Sequence, residues 1–297
     1  MPLHLSTALC GALLLTVAAI YSAVTFCAAL VFRFSHPRRA PPAQRPSVTI
    51  LKPLCGTEPD LYLNLRSFCQ QDYPAYQIVF GVRDAADQLL ALTAGLDEPT
   101  TRAASALPGW SRGHVITHIA YFSEAMTRQV EEALQGRLVE VYDGGRPARD
   151  AAIEAGADRP AAELKAHLTQ AVTTLMASWD KVSPTDWPLP ILHRNSNLSA
   201  GLNATWRELT VHTSDLDLGV TPATWSTSFC EHLLDFLRPR TPEGIHLVLD
   251  SPDLTWDNGT GTTVRLTGAL PDLTAWYAGR TPPGPITGEE PDLLPWP

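Results

Sequence analysis

Cysteine is sparse in this 297-residue chain and poorly placed for paired chemistry. The five cysteines stand at 10, 27, 55, 69 and 230, with no C-x-x-C pair, and two of them fall inside one apolar run. That pattern argues against a disulfide framework or a cysteine-built zinc site, and suits a reducing compartment. Positive charge is also in short supply. Lys and Arg number 22 against 31 Asp and Glu, which leaves a net charge of −9. A nucleic-acid partner needs a basic surface, so that class of function is set aside. The 26 prolines are spread through linkers and loops, and the chain does not read as disordered. Its length allows two domains and a buried core.

From Leu5 to Phe32 there is no charged residue. About 20 apolar residues cross a bilayer, so this run is expected to span one with tilt. A cleaved signal peptide would carry its basic residues before the apolar core. Here Arg33, Arg38, Arg39 and Arg45 follow it, which predicts an uncleaved single-pass membrane anchor with the later domains cytoplasmic. Residues 37–46, with four prolines and three arginines, read as a stiff linker, so that 1–46 forms an anchor-and-linker segment.

The chemistry concentrates further on. Glu208-Leu-Thr-Val-His212 sets a carboxylate and an imidazole four residues apart, on one face of a helix. With His118 from a second helix they would make a three-ligand zinc site with an open position. The spacing by itself is equally that of a solvated helix face. His114, four residues before His118, is a rival ligand, although its place in a first turn suits a capping residue better. Asp215, three residues after His212, falls on the same face and is placed to orient that imidazole. His193 and His246 have no partner at ligand spacing.

Apolar periodicity predicts the surrounding elements. Ser111 is a plausible N-cap for a helix to about Leu134, with Val115, Ile119, Phe122, Met126 and Val130 as its stripe and His118 facing inward. Helices are expected over 150–157, over 160 to about 179, and over 198 to about 216, with a proline-broken loop at 183–190. After residue 222 the reading is a helix over 223–237 and strands at 245–249 and 262–267 around a turn at Asp257-Asn-Gly259. A last helix over 269–278 ends at Gly279, a glycine C-cap. The fold class is mainly α: a membrane helix, a partial βαβ unit over 47–87, a helical bundle over 88–220 and a small α+β domain over 221–297.

The βαβ stretch has a recognisable wording. Pro46-Ser-Val-Thr-Ile-Leu-Lys-Pro-Leu-Cys-Gly56, Asn64-Leu-Arg-Ser-Phe68, Gln71-Asp-Tyr-Pro74 and Val82-Arg-Asp84 resemble ceramide glucosyltransferases and bacterial hopanoid-pathway glycosyltransferases. The resemblance implies a sugar-nucleotide role for Asp84, but it stops near Asp87, before that family's acidic metal motif and its Arg-Trp signature. With so little of the parallel sheet present, glycosyl transfer reads as lost and Asp84 as a surface loop acid.

A second, unrelated resemblance covers about 210 residues. Leu107-Pro-Gly-Trp-Ser-Arg-Gly-His-Val-Ile-Thr-His118, Arg207-Glu-Leu-Thr-Val-His212 with Asp215-Leu216, Val220-Thr-Pro222 with Trp225, and Tyr277-Ala-Gly-Arg280 resemble the mycothiol-dependent maleylpyruvate isomerases of the DinB-like metal-binding superfamily. The resemblance implies zinc on His118, Glu208 and His212, an activity-linked Arg280, mycothiol as cofactor and a small unsaturated dicarboxylate as substrate. In that chemistry a zinc-activated thiolate adds to the double bond, the resulting single bond rotates, and the thiol leaves. Arg280 would pair with a substrate or cofactor carboxylate. The chain thus reads as a join of two families near residues 84–90, with the first bundle helix cut down to 88–96. The alternatives are a membrane-anchored glycosyltransferase with a truncated catalytic part, and a non-catalytic metal-binding module.

Overall fold

The computed structural model describes residues 48–52, 76–80 and 82–297, the first two segments as backbone. Those two are strands β1 (Val48–Lys52) and β2 (Tyr76–Phe80), paired in a two-stranded sheet where the sequence predicts strands. The expected membrane anchor at 5–32, the linker at 37–46 and the helix expected inside the βαβ unit lie outside the described residues. Among the described residues no helix is long and apolar enough to cross a membrane.

Four helices make the bundle: α1 (Val82–Thr93), α3 (Arg112–Ala133), α5 (Ala161–Trp179) and α6 (Leu198–Asp215). α3 packs against α5 and α6, and α1 closes the other side on α6 and α5. A short α2 (Glu98–Arg102), capped by Asp97, leads from α1 toward α3. Every residue of the predicted α3 stripe is buried, and Leu164, Leu168, Leu175, Leu198 and Leu209 face it at 0% exposure. Repetition every three or four residues places these side chains on one side of each helix.

The first helix departs from expectation. It begins at Val82, six residues earlier than 88, and buries Val82, Ala85, Ala86 and Leu89 in the bundle core. The Val82-Arg-Asp84 wording is therefore the first turn of a helix and not the end of a strand. Asp84 is exposed on that turn, where an acid suits the helix dipole. The sequence missed this because small alanines carry the stripe and give a weak apolar signal.

α4 (Gly145–Ala157), longer than the expected 150–157, lies on the outer side of α3. The two helices meet closely. A Cβ at Gly113 would stand 2.3 Å from the carbonyl oxygen of Ala157, so only glycine fits there. Before α6 the chain makes a tight two-stranded reversal, β3 (Pro190–Ile191) against β4 (Ser196–Asn197), with Arg194 and Asn195 both at positive φ. Asn197 then caps α6 by accepting the Ala200 N–H at 3.0 Å, so the Pro-Leu-Pro and Asn-Ser-Asn stretch does lead into the ligand helix.

The C-terminal part has its own apolar cluster, around Trp225, Phe229, Leu233, Leu247 and Leu266. A 3₁₀ turn at Pro222–Thr224 and a cap at Ser226 delay its helix, so α7 runs Thr227–Phe236 instead of 223–237. Asp257-Asn-Gly259 is not a turn. It belongs to β6 (Thr255–Gly259), antiparallel to β5 (Ile245–Asp250), while β7 (Thr262–Thr267) pairs parallel to β5 from its other edge. Trp256 is the only large apolar residue of β6, too little to produce a visible alternation. α8 (Leu270–Tyr277) ends in a Schellman cap: Gly279 (φ 68°) donates to Trp276 and Arg280 to Ala275. α6 joins the two parts, since Leu202 and Leu209 lie in the bundle cluster and Val211 in the second.

Candidate metal centre

His118, Glu208 and His212 converge. One ligand atom from each lies within 4.8 Å of the others. His118 Nε2 stands 3.0 Å from Glu208 Oε2 and 3.0 Å from His212 Nε2, and His212 Nε2 is 3.2 Å from Glu208 Oε2. The bundle explains the meeting: α3 turns His118 inward, and α6 presents Glu208 and His212 one turn apart. The imidazoles are 6% and 13% exposed and the carboxylate 29%, so the site opens on the glutamate side.

His212 is held from behind. Its Nδ1 lies 2.8 Å from Asp215 Oδ2, and Asp215 in turn accepts two bonds from Arg280, from Nε at 3.0 Å and NH2 at 2.8 Å. Burial opposes charge on Asp215, but the bonds from His212 and Arg280 outweigh it and hold its pKa down at about 2. Burial likewise opposes protonation of His212. Asp215 and Glu208 prevail, and its pKa rises to about 9. Glu208 is desolvated, yet the two histidines keep it well below the usual carboxylate range. Burial, reinforced by His212, pushes His118 down.

Two imidazoles and one carboxylate form an open three-donor set suited to a divalent cation, and the carboxylate behind His212 is the support such ligands use. His118 differs. Its Nδ1 faces a donor, Arg149 NH2, at 2.9 Å. Trp110 lies against the same histidine, ring centroids 5.8 Å apart.

The rival ligand is accounted for. His114 Nδ1 accepts the Ser111 N–H at 3.2 Å in a capping box, and its Nε2 meets Glu154 at 3.3 Å. His193 lies outside the donor set, with a buried, unbonded Nε2, and its pKa is pushed to about 4 by burial and Arg194. His246 pairs with Asp257 at 3.1 Å. Arg280, expected to meet a carboxylate, meets Asp215 of its own chain.

Sequence reasoning missed Arg149, Tyr142 and Gln129. Gln129, about three turns along α3 from His118, accepts the N–H groups of Leu192 and His193 and donates to Val139, tying two loops to α3. Arg149 sits in Gly-Gly-Arg-Pro-Ala-Arg, which carries no apolar period and no motif. Two clefts are lined by residues that touch the triad histidines, Arg149 in one and Asp215 in the other. One, about 290 Å³, is lined by Tyr121, Arg128, Tyr142 and Arg149. The other, about 350 Å³, is lined by Leu107, Pro108, Asp215, Arg280 and Thr281.

A helical bundle that turns two histidines and a glutamate onto one point has a donor set that could hold a metal ion. The comparisons give it a more particular setting. Residues 82–217 match the family model described as "Mycothiol maleylpyruvate isomerase N-terminal domain". Residues 11–99 match that of "Glycosyl transferase family 21", so the two matches overlap on α1 and the start of α2, as the reading of a joined chain implies. The fold is similar to the crystal structure of the mycothiol-dependent maleylpyruvate isomerase, at 24% identity and a TM-score of 0.66 over 72% of this chain and 94% of that one. A crystal structure of a histidine-to-alanine mutant of mycothiol-dependent maleylpyruvate isomerase is similar at 23% identity, with the same TM-score and coverage.

Proposed function

We propose that this chain is a metal-dependent isomerase that uses mycothiol, or a small thiol of that kind, to interconvert the cis and trans forms of an unsaturated dicarboxylate such as maleylpyruvate. The observation that carries the reading is the convergent His118–Glu208–His212 triad, with Glu208 as its most exposed member.

His118, Glu208 and His212 would hold the cation, zinc by preference of the donor set. Bound there, it would supply a thiol kept as thiolate at neutral pH. The chain's own groups do the rest. Asp215 fixes the His212 ring with Nε2 toward the centre, and Arg280 fixes Asp215, so the C-terminal domain orients a ligand of the bundle. Trp110, against the His118 ring, would limit water on that side of the centre. A thiolate at this centre would supply reversible addition to the double bond, which lets the two carbons turn about a single bond with no net redox change.

The test uses the full chain. Zinc at one equivalent and a mycothiol-dependent conversion of maleylpyruvate to its trans isomer are expected, both lost in Glu208→Ala. Absence of bound metal in the wild-type chain would sink the reading. Metal with no thiol-dependent rate would leave a metal-binding module.

A further inference from the structure

The two histidines of the triad are supported in opposite ways. His212 Nδ1 faces an acceptor, the Asp215 carboxylate, at 2.8 Å. His118 Nδ1 faces Arg149 NH2 at 2.9 Å, and a guanidinium has only donors to offer. His118 Nδ1 therefore accepts, and its ring N–H lies on Nε2, 3.0 Å from the Glu208 oxygen. With Nε2 given to a cation, the ring N–H of His118 would lie on Nδ1, two donors would face each other across 2.9 Å, and Arg149 would lose this hydrogen bond.

We propose that Arg149 is the carboxylate-binding residue of this site, parked on His118 until a cation displaces it. The inference rests on the metal reading above and adds which residue recognises the substrate. Arg149 keeps two holds while its fork moves. NH1 is bonded to the exposed Asp150 at 2.7 Å, and the guanidinium carbon lies 5.8 Å from the centre of the Tyr142 ring. It also lines the 290 Å³ cleft, a volume suited to a dicarboxylate of a few carbons. The other charges of that cleft are already matched: Arg128 with Asp143 at 2.9 Å, and Glu124 with His167 at 2.7 Å. With one amino group kept on Asp150, the remaining edge of the Arg149 guanidinium, freed from His118, is what is left in the cleft to take a carboxylate.

Coupling follows, and coupling between two sites is reciprocal. A cation releases Arg149 for the carboxylate, and a carboxylate that draws Arg149 away releases His118 for the cation. Zinc ion and maleate, a plain cis dicarboxylate, are the probes, followed by calorimetric titration of the full chain. In the wild type, saturating maleate should tighten zinc binding by roughly tenfold, and maleate should bind measurably only with zinc present. Arg149→Met should bind zinc more tightly than the wild type without maleate, and should respond little to maleate. Arg149→Lys, which keeps stem and charge but lacks the fork, tests the same point if the Met variant does not fold: its response to maleate should also fall. Equal zinc affinity in wild type and variant, with an undiminished maleate effect, would overturn the role of Arg149 and leave the metal reading intact. Failure of the wild type to bind zinc would instead remove the metal reading itself.

Discussion

Asp215 is the residue through which two parts of the chain reach one imidazole of the triad. It is 1% exposed and binds His212 on one side and Arg280 on the other. A carboxylate behind a liganding imidazole fixes its tautomer and raises its basicity, and losing it costs metal affinity. Asp215→Asn should therefore weaken zinc binding by roughly 10- to 100-fold while the variant stays folded. Metal-competition titration with a chromophoric chelator measures it, and an unchanged affinity would separate Asp215 from the centre. Arg280 was legible in the sequence only as an arginine worth watching. What it touches could not be read there, because its partner lies 65 positions away and the pairing depends on how the C-terminal domain packs.

Among the elements, α3 shows what a sequence can and cannot give. Its N-cap, its stripe and the inward turn of His118 follow from spacing alone, since a helix places residues by number. His114 shares that spacing with His118, yet its ring nitrogen is committed to the Ser111 N–H. His114→Ala should keep the metal at wild-type affinity and lose about 1 kcal/mol of stability, the ordinary worth of a cap. Denaturant titration and metal analysis of one sample settle both points, and loss of metal in this variant would make His114 a ligand. Spacing was least informative where side chains are small or strands short. α1 hides its stripe in alanines, and β6 shows one buried tryptophan between polar neighbours. Glycine marks a further gap: Gly113 lets α4 approach α3, and that approach carries Arg149 to His118, a contact with no sequence signature.

For the whole molecule, two half-buried histidines set the acid limit. His193 is depressed to about 4 by burial and Arg194, and His232 to about 4 by burial and Arg207. An unfolded histidine protonates near 6.5, so between about pH 6.5 and 4 the unfolded chain binds more protons than the folded one. Stability is then lost as pH falls through that window, by up to about 3 kcal/mol for each histidine. Urea titrations at pH 7 and pH 4.5 should show the loss, and His232→Gln should reduce it. A flat profile would mean that these rings take up protons in the folded state. The cluster around His232 also includes Arg207, buried beside Phe236 and bonded to His232 at 3.0 Å, so a proton taken up by His232 falls between α6 and α7.

The helix shared by both family matches has an evolutionary consequence. Its core-facing residues are Val82, Ala85, Ala86 and Leu89, while Arg83, Asp84 and Asp87 face water. A bundle asks little of such an outer helix beyond an apolar stripe of modest size. Words from one lineage can supply that stripe for another lineage's core, as long as the reading frame brings it to the right face. A helix of this kind is a place where chains of different ancestry can be spliced without rebuilding the centre they enclose.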